Sequence, residues 1–253
     1  MYIDSHAHLS SEAVSPHIEA ILHRARDAGI GKIINICTDP NTLSEGLRLA
    51  GIYPEILNAG STTPHDVEKE GEMAFPIFAE AARSGKLIAV GETGLDYHYE
   101  HSSKKIQRDF LERYLQLALE CRLPAIFHCR EAFRDLFAIS DEFYPKGSAI
   151  LHCFTGTAEE AEGVFLRGWY LSFSGILTFK KSQSLRDIAK MAPLSQILIE
   201  TDTPYLAPQK YRGQQNEPSF LPETAAYLAE AKNLSIEEIA RATSENAKKC
   251  FSL

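Results

Sequence analysis

Eight short apolar runs recur along this chain, each followed by an amphipathic stretch of helical length, and that alternation restricts the fold more than any other feature. The runs are Tyr2–Asp4, Lys32–Cys37, Glu55–Ala59, Leu87–Gly91, Pro124–His128, Ala149–His152, Trp169–Phe173 and Gln196–Glu200. Several lack polar alternation, as expected of parallel strands covered on both faces. Between them the spacing predicts helices over Pro16–Ala28, Thr42–Ala50, Glu72–Ser84, Lys104–Cys121, Glu131–Phe143, Ala158–Leu166 and Leu185–Met191, with Pro222–Ala231 and Ile236–Cys250 at the end. In Lys104–Cys121, Ile106, Phe110, Tyr114, Leu117 and Cys121 recur at helical spacing and mark one buried face. Ser235 with Glu238 is a capping-box pattern at the start of the last helix.

Alternation of this kind means a parallel α/β architecture. A chain of 253 residues has the length of a single (β/α)8 TIM barrel, which typically needs about 250. The runner-up is an open doubly wound sheet. No low-complexity segment, block of like charge or Pro/Gly-rich linker divides the chain, so residues 1–253 are expected to form a single domain.

Composition excludes several classes of function. No run of about 20 apolar residues is present, and the opening MYIDSHAHL has neither the basic start nor the hydrophobic stretch of a signal peptide, so a cytoplasmic protein without a membrane partner is expected. Five cysteines (Cys37, Cys121, Cys129, Cys153 and Cys250) without a CxxC pair argue for reduced, mostly buried thiols. Cys129 and Cys153, although next to histidines, are expected to face the helix layer by strand alternation and to be buried packing. A formal net charge of −8 argues against broad adhesion to a polyanion, but leaves room for an enzyme that grips one phosphate with metal ions. No heptad pattern demands an oligomer, and a monomer is the simplest expectation.

Six residues able to bind metal close the apolar runs: His6 and His8, then Glu92, His128, His152 and Asp202. Residues two apart on a strand point the same way, so His6 and His8 can hold one ion together. The other four follow apolar residues, where an unpaired charge is costly to bury and a divalent cation removes the cost. For any one of them the bland alternative is a hydrogen-bonded core histidine, a helix cap or a salt bridge; at the strand ends of one barrel, six such coincidences are improbable. Six ligands exceed what one catalytic ion with an open position takes, and suit two ions sharing a carboxylate, Glu92 being the candidate bridge. Four imidazoles with two carboxylates suit zinc, manganese or cobalt better than magnesium.

With those residues in view the chain resembles the TatD family of metal-dependent hydrolases, within the amidohydrolase-like barrel superfamily. DSHAHL, GETGLDY, HCREA, HCFTG, ETDTPYL and RGQQNEP carry the resemblance, in order and over essentially the whole chain. It implies that His6, His8, Glu92 and Asp202 hold one metal while Glu92, His128 and His152 hold the other. It also implies ester hydrolysis on nucleic acid, DNA first, bound transiently and cut by a 3′ to 5′ exonuclease; some related proteins are D-aminoacyl-tRNA deacylases. One departure stands out: where the family usually reads G-x-H-P-H, this chain has Thr63-Pro64-His65, and Gln215 replaces a commonly basic residue.

The mechanism expected from these residues has Asp202 as general base, with Glu92 a bridge and not a base. Arg212 and His65 are candidate phosphate contacts, against a surface salt bridge and a turn residue as the bland readings. Glu200 is a candidate for orienting substrate or a metal-bound group, and Asn216 and Glu217 for binding substrate or ordering their loop. Tyr97 and Tyr205 are candidates for stacking on a base, with aromatic packing as the alternative. Two other functions share the evidence: a small-molecule amidohydrolase or deaminase, for which a carbamylated lysine would be expected where Glu92 stands, and a metal-binding platform without turnover.

Overall fold

The computed structural model describes residues 1–99 and 101–253. Eight strands lie in one sheet in chain order: β1 (Tyr2–Ala7), β2 (Ile30–Cys37), β3 (Ile56–Gly60), β4 (Ala89–Asp96), β5 (Ala125–Arg130), β6 (Ala149–Leu151), β7 (Tyr170–Phe173) and β8 (Ile197–Ile199). Helices alternate with them: α1 (Ile18–Asp27), α2 (Pro40–Ile52), α3 (Val67–Arg83), α4 (Lys104–Cys121), α5 (Phe133–Phe143), α6 (Ala158–Leu166) and α7 (Gln183–Met191), and α8 (Leu221–Lys232) and α9 (Ile236–Phe251) follow the last strand. The paired strands are parallel, and Ala7 bridges to Thr203 just beyond β8. Unbroken sequential order, with β1 next to the chain leaving β8, is the topology of a (β/α)8 barrel. An open doubly wound sheet would reverse its order at a switch point. Among the described residues, no helix is long and apolar enough to cross a membrane.

The chain divides into two compact units, 1–35 with 152–253, and 36–151. In the first, Ile3, Leu22, Ile33, Ile34, Leu171, Phe173 and Leu198 are buried core. Helix α9 packs on β1 and β8. Its buried Asn246 donates to the carbonyls of Leu194 and Ile197 and so fixes the start of β8. Its N-terminus carries the Ser235–Glu238 capping box, each side chain satisfying the other's backbone N–H. Thr157 and Glu160 cap α6 in the same manner.

The second unit is built around β4, every residue of which is buried. Its two glycines, Gly91 and Gly94, have φ of 154° and 142°, and a Cβ on Gly94 would lie 1.9 Å from the carbonyl oxygen of His128. The close approach of β4 to β5 therefore depends on glycine at that position. This explains why β4 runs on to Asp96 although GETG reads as the end of a strand. Helix α3 likewise begins at Val67, ahead of the expected Glu72. Gly71 and Pro76 weaken the helical signal, and Gly71 is there because a Cβ would meet the ring of Phe110 at 2.5 Å. Helix α4 has the expected bounds and is followed by Arg122, in the left-handed region.

Candidate metal centre

His6 lies in β1 and His8 one residue past its end, and their Nε2 atoms are 3.3 Å apart. The chain beyond β8 is laced to this end of β1. The Asp202 amide donates to the His6 carbonyl, and the His8 amide donates to Thr203. The lacing sets Asp202 Oδ1 3.7 Å from His6 Nε2 and 3.5 Å from His8 Nε2. His152, just after β6, lies parallel to His6 with ring centroids 3.9 Å apart. One ligand atom each from His6, His152 and Asp202 fall within 4.8 Å of one another.

Two further carboxylates support this cluster. Glu200 is buried; its Oε1 accepts the Cys153 amide and lies 3.4 Å from His152 Nδ1, while its buried Oε2 has no hydrogen-bond partner. Asp4, also buried, accepts the Thr201 amide, the Thr201 hydroxyl at 2.6 Å and the His6 amide. Burial raises the Asp4 carboxyl to about 7, offset in part by those hydrogen bonds and reinforced by nearby Glu200. Asp4 thereby ties the strand that carries His6 to the loop that carries Asp202.

In the second unit the imidazole of His128 stands between two carboxylates. Its Nδ1 is 3.0 Å from Glu92 Oε1, and its Nε2 is 2.8 Å from Asp96 Oδ2. Asp96 also accepts the amides of His98 and Tyr99 through Oδ1. Burial alone would raise the Asp96 carboxyl, but the His128 hydrogen bond, the Tyr99 amide and the neighbouring imidazoles hold it well below the usual range. His65 Nε2 is 3.7 Å from Asp96 Oδ2, and the His65 and His128 rings are 5.2 Å apart. Burial first, then proximity to His128, lowers the His65 imidazole. Ligand atoms of His65, Asp96 and His128 also fall within 4.8 Å of one another.

The donor sets fit a divalent cation. Crowded imidazoles beside carboxylates are a borderline-soft set for zinc, manganese or cobalt, and the buried, unpartnered Glu200 Oε2 is a polar atom left over by the protein's own hydrogen bonds. Carboxylates hydrogen-bonded to a ligand histidine, as Asp96 is to His128, fix its tautomer and orientation. Among the described residues these clusters contain no cysteine.

The remaining candidates are dispersed. Arg212 lies over the Phe179 ring, its guanidinium carbon 4.9 Å from the centroid. Buried Asn216 gives its amide to the carbonyls of Thr201 and Tyr205, both at 2.6 Å, which orders the loop after Asp202. Glu217 pairs with Arg24, and Gln215 donates to the Ala13 carbonyl. The Thr63 hydroxyl donates to Asp66. The Tyr97 hydroxyl donates to Asp135, and exposed Tyr205 meets the His8 ring edge-on.

The cysteines require a correction. All five are reduced thiols, but only Cys37 and Cys250 are buried; Cys121, Cys129 and Cys153 are half-buried. Alternation does not govern Cys153, which lies past the end of β6 with φ of 45°. Asp4 and Asp96 are the residues the sequence reading passed over. Neither follows the four or five apolar residues that marked Glu92 and Asp202, and the partner that gives each a role is far away in sequence or on another strand.

A family model described as TatD related DNase matches residues 3–252. The chain is 36% identical over 252 residues to the uncharacterized metal-dependent hydrolase YabD of Bacillus subtilis, covering 99% of each chain. It is 33% identical over 251 residues to the 3′-5′ ssDNA/RNA exonuclease TatD of Citrobacter rodentium, covering 96% of this chain and 95% of the other. The solved structure of YJJV, a TatD homologue from Escherichia coli K12, superposes with a TM-score of 0.93 at 30% identity, covering 100% of this chain and 98% of that one. The fold, the clustered imidazoles and carboxylates and these likenesses lead to one conclusion: the chain belongs to the TatD family and is a metal-dependent hydrolase.

Proposed function

We propose that the protein is an exonuclease that removes nucleotides from single-stranded nucleic acid, DNA first, in the 3′ to 5′ direction. The observation that carries this reading is Asp202, whose carboxylate stands within 3.7 Å of His6 and 3.5 Å of His8, in a buried cluster with His152. Relatives named as 3′-5′ ssDNA/RNA exonucleases at 33% and 32% identity supply the substrate class. The match of residues 3–252 to one family model supports reading the chain as one hydrolase domain.

In this reading His6, His8, Glu92, His128, His152 and Asp202 would hold two divalent ions, Glu92 being the candidate shared ligand. When bound, such ions supply Lewis acidity, activating water and neutralising charge that develops on a phosphoryl group. Asp202 is the proton acceptor: it takes the proton of the attacking water on a carboxylate oxygen already beside the reaction centre. Glu92 serves as a ligand, not as the base. Neutral His65, kept so by burial, donates an N–H to the scissile phosphate, and Arg212, seated on Phe179, pairs with a phosphate of the same strand. Glu200 orients His152, and Asn216 keeps the Asp202 loop in place.

The test is cleavage of 3′-labelled and 5′-labelled single strands by metal-stripped protein refilled separately with magnesium, manganese or zinc. Metal-dependent shortening from the 3′ end, absent in Asp202→Ala, is the expected result. Loaded protein that leaves nucleic acid intact while hydrolysing a D-aminoacyl ester of tRNA or a cyclic amide overturns it.

A further inference from the structure

We propose that Tyr99, with His101 beside it and Arg130 against its ring, is a preformed platform on which a base of the single-stranded substrate stacks. This rests on the nucleic-acid reading above and adds a binding subsite to it.

A large aromatic side chain left 53% exposed gains little for folding. Tyr99 is nevertheless surrounded by groups that orient it. The His101 ring is parallel to it within 3°, with centroids 5.6 Å apart. The guanidinium carbon of Arg130 is 4.7 Å from the Tyr99 centroid, within cation–π range. His98 and His65 meet the same ring at steep angles, with centroids 4.9 and 5.9 Å away.

The loop that bears this group is held at several points. The Tyr99 amide donates to Asp96 Oδ1. Buried Gln107 accepts the Asp96 amide and donates to the carbonyls of Asp96 and Ser102. The Ser102 hydroxyl reaches back to the His65 carbonyl. A ring fixed in advance loses little conformational freedom when a ligand stacks on it.

Position then selects the ligand. His65 makes edge contacts with both Tyr99 and His101 and lies 5.2 Å from His128, so a continuous chain of rings runs from a proposed metal ligand out to the exposed tyrosine. Arg130 is two residues beyond His128 on β5 and therefore on the same side of that strand. An exposed aromatic ring with a cation against it, one imidazole away from the proposed ligand His128, matches a nucleobase of the strand being cut. Stacking accepts any base, as an exonuclease that must read through every sequence requires.

The experiment uses metal-loaded protein and a non-cleavable phosphorothioate single strand carrying 2-aminopurine near its 3′ end, with KM and kcat measured in parallel on the cleavable strand. Stacking in the wild type changes the 2-aminopurine fluorescence. Tyr99→Ala abolishes that change and raises KM about tenfold, within the roughly 5- to 150-fold range for loss of one base–aromatic stack, with kcat and metal content much less affected. Tyr99→Phe restores both the fluorescence change and KM. If the wild type cleaves single strands but Tyr99→Ala gives the same fluorescence and KM, the platform is wrong and the exonuclease reading stands. If the wild type neither binds nor cleaves any single strand, the exonuclease reading fails and the platform with it.

Discussion

The two compact units hold their candidate ligands in opposite ways. In 1–35 with 152–253, imidazoles crowd one another: His6 stacks on His152 at 3.9 Å and faces His8 at 3.3 Å, and the positions are set by backbone hydrogen bonds between the end of β1 and the chain after β8. In 36–151 a single imidazole, His128, is clamped from both sides by Glu92 and Asp96. The first arrangement crowds imidazole nitrogens around a carboxylate, a donor set that neutral rings can offer to a cation. The second already satisfies its histidine with the protein's own carboxylates. One unit thus positions its histidine with carboxylates, the other with backbone hydrogen bonds between distant segments.

This contrast is open to direct attack by mutation. The largest effect belongs to Asp202→Ala, which removes the proposed proton acceptor; turnover should fall by about 100-fold or more while bound metal falls only partly. Unchanged turnover would take Asp202 out of the chemistry. Next comes Gly94→Ala, where the added methyl meets the His128 carbonyl and must push β4 and β5 apart. A loss of about 3 kcal/mol in urea unfolding is expected, and wild-type stability would show that the clamp around His128 has slack.

Smaller effects separate the two clusters. Asp96→Asn weakens the hold on His128, so metal affinity measured against a competing chelator should drop about 10- to 100-fold. An unchanged affinity would mean that Glu92 alone positions the ring. Thr201→Val removes the short hydrogen bond to Asp4, and a stability loss of about 1–2 kcal/mol is expected in denaturant titration. A neutral result would reduce Asp4 to a spectator. Chelation sharpens the contrast further. Hydrogen exchange at 6–8 and 200–203 should accelerate on metal removal more than at 92–96, because backbone lacing around a metal has less of its own support than a carboxylate clamp.

Much of the fold was legible in residue patterns. Short apolar runs, several without polar alternation, located all eight strands, and the spacing of Phe110, Tyr114 and Leu117 marked α4, whose bounds are as expected. Two of the misplaced edges, the end of β4 and the start of α3, have a common cause. At GETG and at Gly71 the sequence carries glycine for close packing, not for a turn, and only the neighbouring His128 carbonyl or Phe110 ring reveals which. The same limit applied at the site. A charge after an apolar run can be read from sequence, and it marked the candidate ligands; that Asp96 grips His128, or that Asp4 receives Thr201, depends on pairings between distant segments. The exposure of Cys153 was missed because alternation describes regular strands and the chain leaves β6 before it, whereas Cys129 lies within β5, whose last three residues are all half-buried.

The central claim is that six residues hold two ions on which hydrolysis depends, and metal counting tests it most directly. Metal-stripped protein would be reloaded with manganese or zinc, freed of excess ion and analysed by elemental mass spectrometry, together with His8→Ala and His128→Ala and with exonuclease activity measured on the same samples. The account predicts two equivalents per wild-type chain, about one in each variant, and activity that follows the second equivalent. One equivalent or none in an active wild type, or activity indifferent to the loss of either histidine, would contradict it.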